Sequence, residues 1–141
     1  MKNEKLIVKL SSFLNFFIGI GAFVGSLMAF IPAFHESMGL STAMLQDTPF
    51  KTFLIPGLFL LFILGGLNIL NGICYFTRQV VAYFFSFFMG VILMIWIVIQ
   101  CLLLQMLLPI QAIFFLLGFL QTFCSVYSIR KRQLIFPSLN K

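Results

Sequence analysis

Residues 80–104 read VVAYFFSFFMGVILMIWIVIQCLLL and decide the fold of this chain. The stretch contains no charged side chain, and nearly every residue in it is apolar. A helix of about 20 apolar residues crosses the roughly 30 Å hydrocarbon core of a bilayer. Because an unpaired backbone amide in hydrocarbon costs several kcal/mol, a segment in that setting has to be helical. The stretch therefore predicts a membrane-spanning α-helix.

Three further apolar segments flank this stretch. They cover residues 10–31, 53–75 and 110–128, and each is long enough to cross the hydrocarbon core as a helix. Residues 32–52 form the one long connection, and the two short connections make consecutive helices antiparallel neighbours. The sequence predicts an all-α membrane protein, with a single domain over residues 1–141 that forms an up-down bundle of four transmembrane helices.

The composition excludes an ordinary soluble domain. Of the 141 residues, 62% are hydrophobic, 9% are charged and 20 are phenylalanine. Soluble domains carry about 25% charged residues and about 45–50% apolar residues. So few polar side chains cannot cover a core of this size, and most of the surface is therefore expected to contact lipid.

The basic residues predict the orientation of the bundle, because cytoplasmic loops carry an excess of Lys and Arg. With both termini in the cytoplasm, eight of the nine Lys and Arg residues lie on the cytoplasmic side. They are Lys2, Lys5, Lys9, Arg78, Arg130, Lys131, Arg132 and Lys141. Only Lys51 lies on the other side. The sequence predicts a multi-pass protein of the cell membrane in the N-in/C-in orientation, with the loop at 32–52 outside.

Polar side chains inside the spans fall into two layers when depth is counted at about 1.5 Å per residue. The inner polar layer, called the amide layer below, consists of Asn15, Asn68, Asn71, Ser86 and Gln121. Amides donate to and accept from one another across helices, so this layer is able to hold the bundle together. An ion or substrate site is the alternative, although the layer has none of the ionisable groups that mark most such paths.

The outer layer lies nearer the loop at 32–52 and is called the loop-side layer below. It consists of Pro56, Gly57, Trp96, Gln100 and Gln111. Pro56 is expected to break the hydrogen-bond ladder of the second helix, and the resulting bend would open space beside Trp96. Gln100 shares a helix face with Trp96 and is expected to accept from the indole N–H or to pair with Gln111. The layer predicts a small outer pocket.

The loop supplies a candidate lid for that pocket. His35, Glu36 and Asp47 are titratable side chains that are expected to lie above the loop-side layer. Together with the aromatic wall and the amides, they are typical of a small-molecule site that opens to the outside. The alternative is a packed layer, with Trp96 against the bundle or lipid and with loop charges that are only solvated.

Small residues form stripes on three of the predicted helices. On the first helix, Gly19, Ala22 and Ser26 follow Asn15 at heptad spacing. Such stripes let helices approach closely, because packing rather than hydrophobicity drives their association in lipid. They predict packing within the bundle, or contact with another chain as a homo- or hetero-oligomer. A substrate path is the alternative.

The sequence contains no recognisable catalytic set. There is no HExxH or GxSxG motif, and no Gly-rich phosphate loop followed by Lys. The three cysteines have no CxxC spacing, so neither a metal site nor a cofactor is predicted. The basic ends directly adjoin apolar segments, which favours membrane lipids as partners and argues against nucleic acid.

Five short runs of the sequence resemble a family of small bacterial four-helix membrane proteins that has no established activity. The runs are DTPF at 47–50, IPGLFL at 55–60, GGLN at 65–68, WIVIQ at 96–100 and IQAIFF at 110–115, followed by Gly118. The family has Leu-Gln-Pro where this chain has Ile110-Gln111-Ala112, and its loop is richer in Gly and Pro. The resemblance implies a four-helix bundle in a bacterial inner membrane, singles out the loop-side layer, and supplies no activity.

Two classes of function follow from these observations. The first is a non-enzymatic membrane protein that acts through protein or lipid interactions in the bilayer. The alternative is the binding or passive transport of a small apolar molecule through the outer pocket. A cavity lined by Trp96 and Gln100 would favour the alternative, whereas a packed layer would favour the first. A membrane enzyme is third, and it would need His35 and Glu36 to converge over the cavity.

Overall fold

The computed structural model describes residues 2–135 of the chain. Its elements are α1 (Lys2–Phe30), α2 (Pro32–Ser37), a 3-10 turn (Thr42–Leu45), α3 (Leu54–Phe76), α4 (Val80–Leu104) and α5 (Pro109–Ile135). Four of them, α1, α3, α4 and α5, are long and apolar enough to cross a membrane. No strand occurs within residues 2–135. The predicted all-α architecture with four helices able to cross a membrane is confirmed. Lys141 of the predicted cytoplasmic set lies outside the described residues.

The first and last long helices extend beyond the apolar segments that predicted them. α1 includes Lys5 and Lys9 ahead of the predicted start at residue 10, and α5 continues through the basic residues 130–132. With 29 residues, α1 is about 44 Å long. That length matches a bilayer of about 40–45 Å with its headgroup regions included. Charged side chains at these helix ends are therefore able to reach the headgroups.

The four long helices form a closed ring, in which each packs on the next along the chain and α5 returns to α1. Glycines set the closest approaches. A Cβ atom at Gly19 of α1 would lie 2.6 Å from Cγ1 of Ile69 and 3.1 Å from the carbonyl oxygen of Gly65 in α3. A Cβ atom at Gly118 of α5 would lie 3.0 Å from the carbonyl oxygen of Gly90 in α4. Small residues thus serve helix packing within the chain, as membrane helices require.

Apolar side chains occupy both the centre of the ring and its outer surface. The central cluster includes Leu64 of α3 and Leu93 of α4, which are 0% and 2% exposed. On the outside, Phe62, Phe88 and Phe119 are each more than half exposed. A soluble protein rarely leaves such large apolar patches uncovered, whereas lipid tails solvate them.

α3 departs from regular α-helical geometry at a different place from the one predicted. The expected break at Pro56 is wrong, because Pro56 lies in the first turn of α3, where its missing N–H would have no helical acceptor. The irregularity begins at Leu60, and residues Leu60–Gly66 form a π-helical segment. At its end, the N–H of Leu67 donates to the carbonyl of Phe62, five residues back. π-helical segments occur frequently at functional sites.

Candidate functional site

The amide layer forms a hydrogen-bond network at the centre of the ring, and each of its five side chains is at most 3% exposed. Asn15 is its hub. The Asn15 Nδ2 donates to the Ser86 hydroxyl at 3.1 Å. The Asn15 Oδ1 accepts from Asn71 Nδ2 at 2.9 Å and from Gln121 Nε2 at 3.0 Å. Gln121 Nε2 also donates to Asn68 Oδ1 at 2.8 Å.

This network connects all four long helices. The Asn15–Ser86 bond joins α1 to α4, and the Gln121–Asn68 bond joins α5 to α3, so the bonds bridge opposite helices of the ring. Hydrogen bonds between helices in lipid contribute about 0.6–2 kcal/mol each. The Gln121 Oε1 has no hydrogen-bond partner within residues 2–135. The amides bond to one another across the helices, and no ionisable side chain belongs to the layer, which favours a structural role over an ion site.

A cavity of about 390 Å³ lies next to the amide layer, on the side of the loop at 32–52. All four long helices and the loop contribute to its wall. Its floor includes Ile18 and Leu64, each about one helical turn from an asparagine of the amide layer. The volume lies within the roughly 300–1,000 Å³ that is typical of small-molecule sites.

Four of the five residues of the loop-side layer line this cavity. They are Pro56, Trp96, Gln100 and Gln111. Gly57 does not line it. A Cβ atom at Gly57 would lie 2.7 Å from Cε1 of Phe30 and 2.9 Å from Cβ of Ala29, both on α1. Gly57 is therefore a packing residue that lets α3 approach α1.

Trp96 provides an aromatic wall and an unsatisfied donor. Its side chain is 7% exposed, and its indole stacks on Phe59 with ring centroids 4.3 Å apart. The indole N–H has no acceptor within the described chain, so the predicted bond to Gln100 is not formed. A buried donor without a partner destabilises a structure by about 1–3 kcal/mol. The indole nitrogen is itself covered by neighbouring atoms, so an acceptor in the cavity reaches it after a small movement of the wall.

Gln111 caps the start of α5, a role that was not predicted from the sequence. Its Oε1 accepts from the backbone N–H of Leu108 at 2.8 Å and from the Cys101 thiol at 3.4 Å. Gln111 is the third residue of α5, and a bond from that position to the residue before the helix is one half of a capping box. The predicted pairing with Gln100 is wrong, because the amide oxygen of Gln111 satisfies a helix-start donor instead.

Only one of the three predicted lid residues reaches the cavity. His35 is 8% exposed, lines the cavity, and has its ring centroid 5.0 Å from that of Phe53. The His35 Nδ1 has no hydrogen-bond partner within the described residues. Glu36 and Asp47 are exposed and lie outside the cavity wall. His35 and Glu36 diverge because consecutive residues of a helix point about 100° apart.

Several apolar side chains of the cavity wall were not predicted from the sequence. Leu93 lies three residues before Trp96, and Phe114 lies three residues after Gln111, so helical spacing alone places each pair on one face. Phe53 also lines the cavity, from the end of the long loop. No periodic signal identifies Phe53, because the path of a loop is not encoded in a local repeat.

Exposed side chains of α1 and α5 form part of the cavity wall. Phe17 and Val24 of α1 and Ile110 of α5 line it, and each is 48% exposed. Between these residues the two helices are in contact, because a Cβ atom at Gly21 of α1 would clash with the ring of Phe114 in α5. The exposed part of the cavity wall on this side of the bundle is therefore apolar and interrupted by that contact.

Comparison of the chain with known protein families, with curated proteins and with solved structures gives no match. The resemblance to a bacterial four-helix family therefore stays a prediction. Within residues 2–135, no three His, Cys, Asp or Glu side chains come together in a way that could hold a metal ion.

Proposed function

We propose that this chain is a multi-pass protein of the cell membrane that binds a small, largely apolar molecule in the cavity between its helices. The observation that carries the proposal is the buried Trp96 N–H, a donor without an acceptor in the wall of a mainly apolar cavity. A packed loop-side layer would instead have favoured a role limited to contact with partner proteins or lipids.

The wall defines the chemistry of the ligand. Trp96 can only donate a hydrogen bond, so the ligand offers it an acceptor such as a carbonyl or hydroxyl oxygen. His35 supplies a second polar atom near the loop, and Gln100 supplies an amide. The rest of the wall is mainly apolar. The ligand class is therefore an uncharged molecule with an apolar body and one or two oxygen atoms.

The exposed apolar side chains of α1 and α5 in the cavity wall support entry of the ligand from the bilayer. A molecule dissolved in the hydrocarbon reaches the cavity beside Val24 and Ile110 once the ring of Phe114 moves away from Gly21. The amide layer lies directly beneath the cavity floor and ties all four helices together. This arrangement supports binding in preference to passage through the bundle. The divergence of His35 and Glu36 supports a binding role in preference to catalysis.

The proposed topology is N-in/C-in in a bacterial inner membrane, because it places eight of the nine Lys and Arg residues in the cytoplasm. A reporter that is active only outside the cytoplasm is expected to be inactive when fused to the C-terminus. Strong activity of that fusion would contradict the topology. Association of copies through small-residue faces stays a prediction, and contacts such as Gly19 with Gly65 already use part of those faces within the chain.

The ligand proposal is tested by filling the cavity. Gly25 lines it, and the nearest atom to a Cβ there is Cδ1 of Leu60 at 3.4 Å, so a larger side chain has room to extend into the cavity. The chain is extracted in mild detergent, and bound molecules are identified by native mass spectrometry. The control is Leu27→Phe, because Leu27 is 53% exposed and lies outside the wall.

Wild type and Leu27→Phe are expected to retain the same small apolar molecule, and Gly25→Phe is expected to lose it. Equal amounts of that molecule in Gly25→Phe and wild type would contradict the proposal. So would wild-type protein that carries no such molecule and takes up none when long-chain alcohols or ketones are added.

A further inference from the structure

A second cavity, of about 350 Å³, lies at the opposite end of the bundle, where α1 begins and α5 nears its end. Three cationic side chains and one carboxylate line it. They are Arg78, Lys131, Arg132 and Glu4. The wall also includes the rings of Tyr83 and Tyr127 and the apolar side chains of Ile7 and Val8. The second cavity is therefore a positively charged pocket with aromatic and apolar sides.

Aromatic rings position two of the cations without neutralising them. The guanidinium carbon of Arg132 lies 5.0 Å from the ring centroid of Tyr83, which is itself 3% exposed. The Nζ of Lys131 lies 5.7 Å from the ring centroid of Tyr127. Glu4 lies 4.0 Å from Lys131, and both side chains are about one third exposed, so this ion pair is weak. The pocket keeps a net positive charge.

Arg78 occupies a backbone position that normally belongs to glycine. It follows α3 with a φ of 59°. Its N–H donates to the carbonyl of Tyr75 at 3.0 Å, and the N–H of Gln79 donates to the carbonyl of Cys74 at 3.1 Å. These two bonds define a Schellman motif, in which glycine is preferred because a side chain is strained in the left-handed region. Here the strained position places a guanidinium in the second cavity, and such outliers cluster at functional sites.

We propose that the second cavity binds the phosphate-bearing headgroup of an anionic membrane lipid. Arg78 and Arg132 present planar guanidinium groups, which suit phosphate oxygens, and Lys131 adds a third cation. The headgroup competes with Glu4 for Lys131. This proposal is independent of the ligand proposed for the first cavity, because it uses different residues at the other end of the spans.

The position of the pocket favours a lipid over free phosphate. It lies where the apolar spans end, which is the depth of the headgroups. Ile7 and Val8 provide an apolar side that a glycerol backbone and acyl chains contact, and tyrosines are typical of the membrane interface. Basic pockets between helices on the cytoplasmic side bind anionic headgroups, and the proposed topology places this end there.

The test measures lipid binding to the full chain in detergent by native mass spectrometry. The probes are phosphatidylglycerol, phosphatidylcholine and, as a competitor, inorganic phosphate. The pocket variants are Arg78→Gly, Arg132→Gln and Glu4→Gln. The matched control is Arg130→Gln, because Arg130 is the immediate neighbour of the pocket cations, is exposed, and lies outside the wall. Arg130→Gln makes the same change of net charge as Arg132→Gln.

Phosphatidylglycerol is expected to bind more tightly than phosphatidylcholine. Arg78→Gly and Arg132→Gln are expected to weaken that binding by about fivefold each, and Arg130→Gln by much less. Glu4→Gln is expected to strengthen it. Arg78→Gly also relieves the backbone strain, so its thermal stability without lipid is expected to equal or exceed that of wild type, which separates lost binding from lost folding.

Three outcomes would overturn the proposal. An effect of Arg130→Gln as large as that of Arg132→Gln would show diffuse attraction between charges rather than a site. Equal affinity for the two lipids would show that the second cavity does not recognise the anionic headgroup. Displacement of phosphatidylglycerol by equimolar inorganic phosphate would identify a site for soluble phosphate instead.

Discussion

The indole of Trp96 stacks on the phenyl ring of Phe59, with centroids 4.3 Å apart and an interplanar angle of 27°. Phe59 directly precedes the π-helical segment of α3, and Trp96 lies in the second half of α4, about two turns before its end. The stack joins two adjacent helices at the wall of the first cavity. Trp96 is therefore held by ring packing rather than by a hydrogen bond, and its N–H has no partner within the described residues.

Trp96→Phe keeps an aromatic ring against Phe59 and removes the N–H. Ligand affinity is expected to fall about tenfold, the equivalent of a hydrogen bond worth about 1.4 kcal/mol. Stability without ligand should change little, because the deleted donor has no partner. Equilibrium binding and thermal unfolding in detergent measure the two effects. The control is Phe88→Leu, since Phe88 is 58% exposed on the outer surface. Unchanged ligand affinity in Trp96→Phe would show that the indole N–H does not bind the ligand.

Asn15→Leu tests the amide layer as a structural element. The substitution keeps the hydrophobicity that membrane insertion needs, and it removes the hydrogen bonds to Asn71, Ser86 and Gln121. The free energy of unfolding is expected to fall by about 2 kcal/mol, which is the sum of three modest bonds between helices. Ser86→Ala removes one bond of 3.1 Å and should destabilise the bundle by about a third as much. Equal stability of Asn15→Leu and wild type would show that the layer does not hold the bundle together.

Two glycines of α1 are expected to respond oppositely to the same added methyl group. In Gly19→Ala the methyl meets the side chain of Ile69 and the backbone of α3, with the Gly65 carbonyl oxygen at 3.1 Å. The helices then have to separate, and a loss of about 1–3 kcal/mol is expected. In Gly25→Ala the nearest atom is Cδ1 of Leu60 at 3.4 Å, an ordinary contact. Gly25→Ala should therefore match or exceed wild-type stability, because alanine favours the helix.

Thermal unfolding of both glycine variants in one detergent measures the difference. An equal loss of stability at the two positions would contradict the close approach of α1 and α3 at Gly19.

Substitution of Gln111 is expected to lower stability, whereas substitution of Gln100 is expected to change ligand binding. Gln111→Leu leaves the backbone N–H of Leu108 without its acceptor at the start of α5, and a loss of about 1 kcal/mol is expected. Gln100→Leu removes an amide from the cavity wall without breaking a helix cap, so stability should hold while ligand affinity changes. Thermal unfolding and ligand binding of both variants test this division. A larger loss of stability in Gln100→Leu than in Gln111→Leu would reverse the two roles.

The spans and the amide layer could be predicted because both depend on position along a helix. The hydrophobic segment at residues 80–104 predicted both ends of α4 correctly. Counting residues from the ends of the hydrophobic segments predicted that Asn15, Asn68 and Gln121 lie at the same depth in the membrane. In a membrane, a shared depth predicts hydrogen bonding, because a buried amide has few partners besides another amide at the same depth. Trp96 was placed at the cavity wall by the same count.

The predictions that were wrong concern features that depend on the first turn of each helix and on the fold of the loop. Pro56 was expected to break a helix predicted to begin at residue 53, but a proline in the first turn removes an N–H that has no helical acceptor, and the helix that starts at Leu54 is unbroken there. Gln111 lines the cavity as predicted, but its bond to the Leu108 N–H depends on where α5 begins, which the sequence does not specify. His35 and Glu36 have the same local sequence signal, and the contact of His35 with Phe53 determines which one is buried.

The most direct test of the account uses the fluorescence of the protein itself. The chain has one tryptophan, and Trp96 lines the first cavity, so its emission reports on that cavity alone. A bromoalkanol carries a heavy-atom quencher on an apolar chain and a hydroxyl oxygen as acceptor for the indole N–H. The full chain in detergent is titrated with it, with Gly25→Phe as the filled cavity and Leu27→Phe as the control. Saturable quenching is expected in wild type and Leu27→Phe, and only weak, non-saturating quenching is expected in Gly25→Phe. Identical, non-saturating quenching in all three proteins would contradict ligand binding in the first cavity.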